Sequence, residues 1–122
     1  MPQKLLIVED EETLRESLKR VFIRDGYEVD GVDSSEAALE TIKNSSYDLV
    51  ITDIVLPGIN GIALLKRCRE NNPDLKVIIM TAFASIETAV EAIRAGAYDY
   101  MVKPVQHDQI KNAVKKALTE PG

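Results

Sequence analysis

Five short runs that are apolar or alternating, each followed by an amphipathic stretch, constrain this chain's fold more than any other feature of its sequence. The runs are Leu5-Leu6-Ile7-Val8, Tyr27-Glu28-Val29-Asp30-Gly31-Val32, Leu49-Val50-Ile51, Val77-Ile78-Ile79-Met80 and Tyr98-Asp99-Tyr100-Met101-Val102. Three are apolar throughout, the pattern of strands buried on both faces of a parallel sheet. The second alternates and the fifth is mixed, so both read as edge strands.

The intervening stretches carry apolar residues at helical spacing. Leu14, Leu18, Val21 and Phe22 form one stripe, with Gly26 where a helix would end. Ala38, Leu39 and Ile42 follow Ser34-Ser35, either of which can cap, and Leu64, Leu65 and Cys68 follow Asn60. Ile86, Ala89, Val90 and Ile93 precede Gly96, and Ile110, Ala113, Val114 and Ala117 make the last stripe. Strand and helix thus alternate five times, which predicts an α/β domain: a parallel sheet wound through right-handed crossovers, with helices on both faces. Ligands of such sheets gather outside the carboxyl ends of the strands, near the point where strand order reverses. The residues just after each strand are therefore where chemistry is sought.

At 122 residues the chain is one domain's worth of protein. Its formal net charge of −5 argues against a nucleic-acid surface, which needs clustered Lys and Arg. Cys68 is the only cysteine, so no internal disulfide forms, as suits a reducing compartment. No signal-like segment follows Met1, and no apolar run is long enough to span a bilayer. These features predict a soluble, cytoplasmic protein without membrane or direct nucleic-acid contact.

Glu9 and Asp10 follow the first strand, Asp53 the third, Thr81 the fourth and Lys103-Pro104 the fifth. Three converging carboxylates repel one another unless a cation or protons neutralise them. Hard oxygen ligands favour Mg²⁺, which needs only one or two protein carboxylates. One carboxylate can then act as nucleophile and form an acyl phosphate, with the metal and Lys103 offsetting charge on the phosphoryl oxygens. Thr81 can donate its hydroxyl to that group. Taken singly, each residue has a plainer reading: Glu9 and Asp10 as helix-start acids, Asp53 as a turn residue before Pro57-Gly58, Thr81 as a loop hydroxyl, Lys103 as a solvated charge. Their joint placement at the sheet's end favours the functional reading.

These residues resemble the receiver domains of two-component response regulators over essentially the whole chain, 1–122. The motifs carrying the resemblance are Glu9-Asp10, Asp53-Ile54-Val55-Leu56-Pro57-Gly58-Ile59-Asn60-Gly61, Thr81-Ala82 and Lys103-Pro104, in that order. The resemblance implies a flavodoxin-like (βα)5 fold of strand order 2-1-3-4-5 and a switch phosphorylated on Asp53 by a sensor histidine kinase. It implies Mg²⁺ held by Asp10, Asp53 and the Val55 carbonyl, with Glu9 acting through a metal-bound water. Thr81 and Tyr100 would be the switch pair, and the Lys103–Pro104 bond would be cis. Glu9 stands where aspartate is more frequent, and Val105 where Phe often follows Lys-Pro. Apolar Val55 and Phe83, two residues past Asp53 and Thr81, flank the path of an attacking water and predict slow hydrolysis of the acyl phosphate.

An enzyme of similar fold is the competing class. Nucleotide- and flavin-binding proteins want a Gly- or hydroxyl-rich turn after the first strand, whereas Glu9-Asp10-Glu11-Glu12 repels phosphate. An aspartate-based phosphatase wants an acid two residues past its nucleophile, where Val55 stands. No enzyme beyond self-phosphorylation and slow self-dephosphorylation is expected. A stand-alone or degenerate receiver acting only as a binding module is the alternative, and the intact Asp10, Asp53, Thr81 and Lys103 speak against degeneracy.

The stretches Thr81–Val90 and Gly96–Tyr100 resemble receivers of the nitrogen-regulatory type, usually fused to an ATPase and a helix-turn-helix domain that activate transcription. Thr119-Glu120-Pro121-Gly122 reads as the start of a linker to an output domain. Ala84, Ala92 and Ala95 leave a low-relief surface around the fourth helix, suited to an effector or a homodimer through the fourth helix, fifth strand and fifth helix; ordinary helix propensity explains them equally well. His107 reads as an exposed first-turn residue, Cys68 as a small buried hydrophobe, and Lys111, Lys115 and Lys116 as a solvated face.

Overall fold

Alternation along the first strand sorts the core into two layers: Leu5 and Ile7 face one way, Leu6 and Val8 the other, and all four are buried. The computed structural model describes residues 2–119, so the Glu120-Pro121-Gly122 part of the expected linker lies outside them. The strands are β1 (Lys4–Val8), β2 (Glu28–Val32), β3 (Leu49–Thr52), β4 (Lys76–Thr81) and β5 (Asp99–Val102). The helices are α1 (Glu12–Arg24), α2 (Ser35–Asn44), α3 (Gly61–Asn71), α4 (Ile86–Arg94) and α5 (His107–Thr119).

All pairings are parallel and the order is β2-β1-β3-β4-β5, the flavodoxin-like arrangement expected, with half-polar β2 and β5 at the edges. One layer joins Leu5, Ile7, Ile51, Ile78 and Met80 to Leu18 and Phe22 of α1 and to Ile110 and Val114 of α5. The other joins Leu6, Val8, Val50, Val77 and Ile79 to Ala38 of α2, Leu64, Leu65 and Cys68 of α3 and Ala92 of α4. No helix among the described residues is long and apolar enough to cross a membrane.

The punctuation follows local chemistry. Ser34 caps α2 by accepting from the Ala37 amide, and Asn60 caps α3 by accepting from the Ala63 amide. Its neighbour Ser35 is buried and donates instead to the Pro57 carbonyl at 3.0 Å. Past α1, Gly26 adopts φ +94° while its amide reaches the Ile23 carbonyl and the Tyr27 amide reaches Phe22. That paired closure turns the chain straight into β2, and a positive φ there suits glycine.

Helix α4 departs from expectation. Its large apolar residues, read as one more helical stripe, point outward: Ile86 is 85% exposed, and Val90 and Ile93 are exposed too. Ala92, expected on a low-relief surface, is fully buried, and Ala95 packs against the same layer. Two apolar arcs overlap on this helix, and the small one lets its backbone approach the sheet closely.

Core and α4 should therefore respond differently to truncation. Leu6→Ala is expected to lower unfolding free energy in urea by about 2–5 kcal/mol, and Ile86→Ala to change it by no more than about 0.5 kcal/mol.

Candidate functional site

Sheet register brings the predicted residues together. Val8 pairs with Thr52, so Glu9 and Asp53 emerge side by side where the winding direction reverses. Thr81 pairs with Val102, so Lys103 leaves the neighbouring edge one step further on, with its amide on the Thr81 carbonyl at 2.8 Å. The Lys103 ammonium donates to Asp53 Oδ2 at 2.7 Å and to Glu9 Oε1 at 2.5 Å. Both carboxylates are nearly sealed from solvent, with Glu9 2% and Asp53 5% exposed. The Lys103–Pro104 bond is cis.

Burial pushes the Glu9 pKa up, against the opposing pull of Lys103 and of the Glu11 amide. Burial works against the Lys103 charge too, but the bonds to Asp53 and Glu9 outweigh it and hold that pKa above its ordinary value.

Asp53 is fixed by its own loop. Oδ1 accepts from the Ile54 amide at 2.6 Å and the Val55 amide at 3.3 Å. The loop closes where the Gly61 amide donates to the Ile54 carbonyl at 2.8 Å. A Cβ at Gly61 would lie 1.8 Å from the Asp53 carbonyl oxygen, so only glycine lets α3 start this close to Asp53.

Thr81 is buried at the end of β4, and its Oγ1 accepts from the Phe83 amide at 3.1 Å. The hydroxyl of Tyr100, its expected switch partner, lies 2.7 Å from Thr88 Oγ1 on α4. Thr88 also completes a capping box with Ser85 at the start of α4. The sequence reading missed this pair: Ser85 just before the helix is a legible N-cap, but Thr88 stands where a capping box usually has Glu or Gln. Val55 and Phe83 are exposed beside the site, 51% and 68% respectively.

Asp10, unlike Glu9 and Asp53, is exposed, and its side chain makes no hydrogen bond or ion pair. No group of three acidic, histidine or cysteine side chains converges closely enough to ligate an ion among the described residues. The donors nonetheless fit a hard divalent cation in kind, being carboxylate oxygens, two of them buried, with one lysine to balance them. His107 is exposed, as expected. Cys68 is buried, its thiol pKa pushed up to about 11 by burial. Of the α5 lysines, Lys111 pairs with Asp25 at 3.3 Å rather than standing free.

The family model "Response regulator receiver domain" matches residues 5–115. The chain is 44% identical over 106 residues to the response regulator protein FleR of Pseudomonas aeruginosa, covering 87% of itself and 22% of that protein. To the transcriptional regulatory protein ZraR of Escherichia coli it is 39% identical, covering 93% of itself and 26% of the relative. Sporulation initiation phosphotransferase F of Bacillus subtilis, 36% identical, is matched over 97% of this chain and 95% of its own length. Among solved structures, Thermotoga maritima TrrA in complex with Mg²⁺-BeF superposes with a TM-score of 0.87 at 37% identity, over 95% of this chain and 99% of that one. The chain therefore belongs to the response regulator receiver domains, the phosphorylation-dependent switches of two-component signalling. It spans about a quarter of the length of FleR and ZraR.

Gly61→Ala is expected to cost about 2–4 kcal/mol in chemical denaturation, because its Cβ must displace the backbone of Asp53. The raised Glu9 pKa makes the ionised form less favoured in the folded chain than in the unfolded one. The stability contributed by Glu9 is then full below its ordinary value of 4.5 and is lost as pH rises through the folded value. Glu9→Gln should accordingly melt above the wild type at pH 7, and the difference should vanish below about pH 4.

Proposed function

We propose that Asp53 is the phosphoacceptor of this switch and that Lys103, Thr81 and Glu9-Asp10 serve the transfer. The observation carrying this reading is the Lys103 ammonium held between Asp53 and Glu9 at the reversal point of the sheet. An Asp53 carboxylate oxygen forms a bond to phosphorus as the bond from phosphorus to the donor's histidine nitrogen breaks. Lys103 stays beside the new acyl phosphate and balances its charge. The Thr81 hydroxyl, now an acceptor from Phe83, has its own proton to donate to a phosphoryl oxygen.

Asp10, Asp53 and the Val55 carbonyl are assigned to hold Mg²⁺, with Glu9 acting through water. Such a cation supplies charge neutralisation at the phosphoryl oxygens. The exposed, unpaired carboxylate of Asp10 and the resemblance to TrrA support this assignment.

Movement of Thr81 toward the phosphoryl group would open space for Tyr100 to turn inward, releasing Thr88 and with it the start of α4. The outward Ile86, Val90 and Ile93 make α4 a surface for an effector or for a second copy, continuing through β5 and α5. A sensor histidine kinase is the proposed phosphodonor. The cavity of about 270 Å³ lined by Leu14, Leu18, Ala82, Lys103, Pro104 and Val105 adjoins the Asp53 partner Lys103 and offers it an apolar foothold. By likeness to FleR and ZraR, residues 1–122 are read as the receiver of a longer regulator whose output is transcription. Sporulation initiation phosphotransferase F, matched over nearly its full length, favours the alternative of a stand-alone receiver. In either case the chain works in the cytoplasm and turns over nothing but its own acyl phosphate.

Intact mass after incubation with Mg²⁺ and acetyl phosphate tests this directly. A metal-dependent phosphoryl adduct is expected on the wild type and not on Asp53→Asn, and it should outlast seconds because Val55 and Phe83 shield it. A folded wild type that takes no adduct would favour the binding-module reading.

A further inference from the structure

The turn that presents Glu9 and Asp10 has a support that neither the motifs nor the site account for. Helix α1 begins without a side-chain cap on Glu11; the Glu11 amide is instead taken by Glu9 Oε2 at 3.1 Å. The Glu9 amide is tied to the Val32 carbonyl at 3.0 Å. That leaves the Glu9 carbonyl, one bond from Asp10, and it accepts from Arg15 Nη1 at 2.9 Å. Arg15, in the first turn of α1, thus reaches back past the helix start and grips the turn from the side of β2.

The arginine stem needs space to do this, and Gly31 supplies it. A Cβ at Gly31 would meet Arg15 Cγ at 3.1 Å, Arg15 Cδ at 3.2 Å and Lys19 Cδ at 2.9 Å. Gly31 has φ outside the left-handed region, so its backbone does not demand glycine. The missing side chain is a slot across the edge strand. Arg15 lies in it, 16% exposed, with a distant exposed-side neighbour in Glu16 at 3.7 Å.

We propose that Arg15, seated on Gly31, is a positioning residue for cation binding: it holds the Glu9 carbonyl and so fixes the peptide from which Asp10 projects. This rests on the magnesium-dependent reading above. Asp10 has no hydrogen bond of its own, so its approach to a cation is set by the backbone on either side. Arg15 fixes one side, and the start of α1 fixes the other. A guanidinium is suited to this because its stem packs while its head stays hydrogen-bonded.

Titration of the full chain with magnesium chloride alone, followed by calorimetry, decides the matter. Arg15→Met keeps the stem and removes the donor, and should weaken magnesium binding about tenfold. Arg15→Lys restores one donor, all that a single carbonyl uses, and should recover most of that loss. Gly31→Val leaves residue 15 an arginine but fills the slot and pushes its stem aside, so it should weaken binding comparably, while the double variant R15M/G31V should be little weaker than either alone. Unchanged affinity in R15M, failure of R15K to recover, or additivity in the double variant would each overturn the positioning role. A wild type that takes up no magnesium would overturn the underlying reading as well, so the two failures are distinguishable.

Discussion

One ammonium between two buried carboxylates is the constraint on which the carboxyl end of this sheet depends. Glu9 and Asp53 sit side by side because β1 and β3 are neighbours, and neither has water enough to be stable as an isolated ion. Lys103 reaches both. It comes from the far edge of the sheet, delivered by the pairing of β5 with β4. A buried pair of this kind is a weak source of net stability, since desolvation offsets most of the attraction. Its consequence is positional: the carboxylate of Asp53 is oriented, and positive charge already stands where a phosphoryl group would bring negative charge.

The restraints around the site differ in kind from place to place. Around Asp53, the backbone amides of Ile54 and Val55 and the close approach of Gly61 leave little freedom. Tyr100 packs partly against the core, and its hydroxyl is held by one pair with Thr88, of the order of 1 kcal/mol. Such a bond is easily exchanged for another. Thr88 also belongs to the cap of α4, so Tyr100 is tied to the helix whose outer face carries Ile86, Val90 and Ile93. Ala92 and Ala95 toward the sheet bring that helix close to it while burying little side-chain area, so few large apolar contacts hold α4 in place.

Much of this was legible beforehand, and for identifiable reasons. Continuous apolar runs marked β1, β3 and β4, mixed polarity marked the edges, and Gly26 and Gly96 marked helix ends, because each signal is local and periodic. The chemistry at the strand ends was legible because topology confines it there: Glu9, Asp53, Thr81 and Lys103 all lie where they were expected. The facing of α4 was not, since two apolar arcs on one helix carry nearly the same periodic signal. Nor was the contrast in burial between Glu9 and the adjacent, exposed Asp10, because adjacent residues at the end of a strand diverge in exposure once the backbone turns.

The amino-acid sequence by itself determined the alternation of strand and helix, the sheet's buried and edge strands, and the residues available for chemistry at its carboxyl end. These depend on short-range pattern and on side-chain type. Only the tertiary structure decided that Lys103 joins Glu9 to Asp53, that Tyr100 rests on Thr88, that α4 turns its large side chains outward and that Arg15 occupies the slot above Gly31. Each of these is a contact between residues distant in the chain or a choice between two similar faces. Packing settles such matters, and no local propensity encodes them.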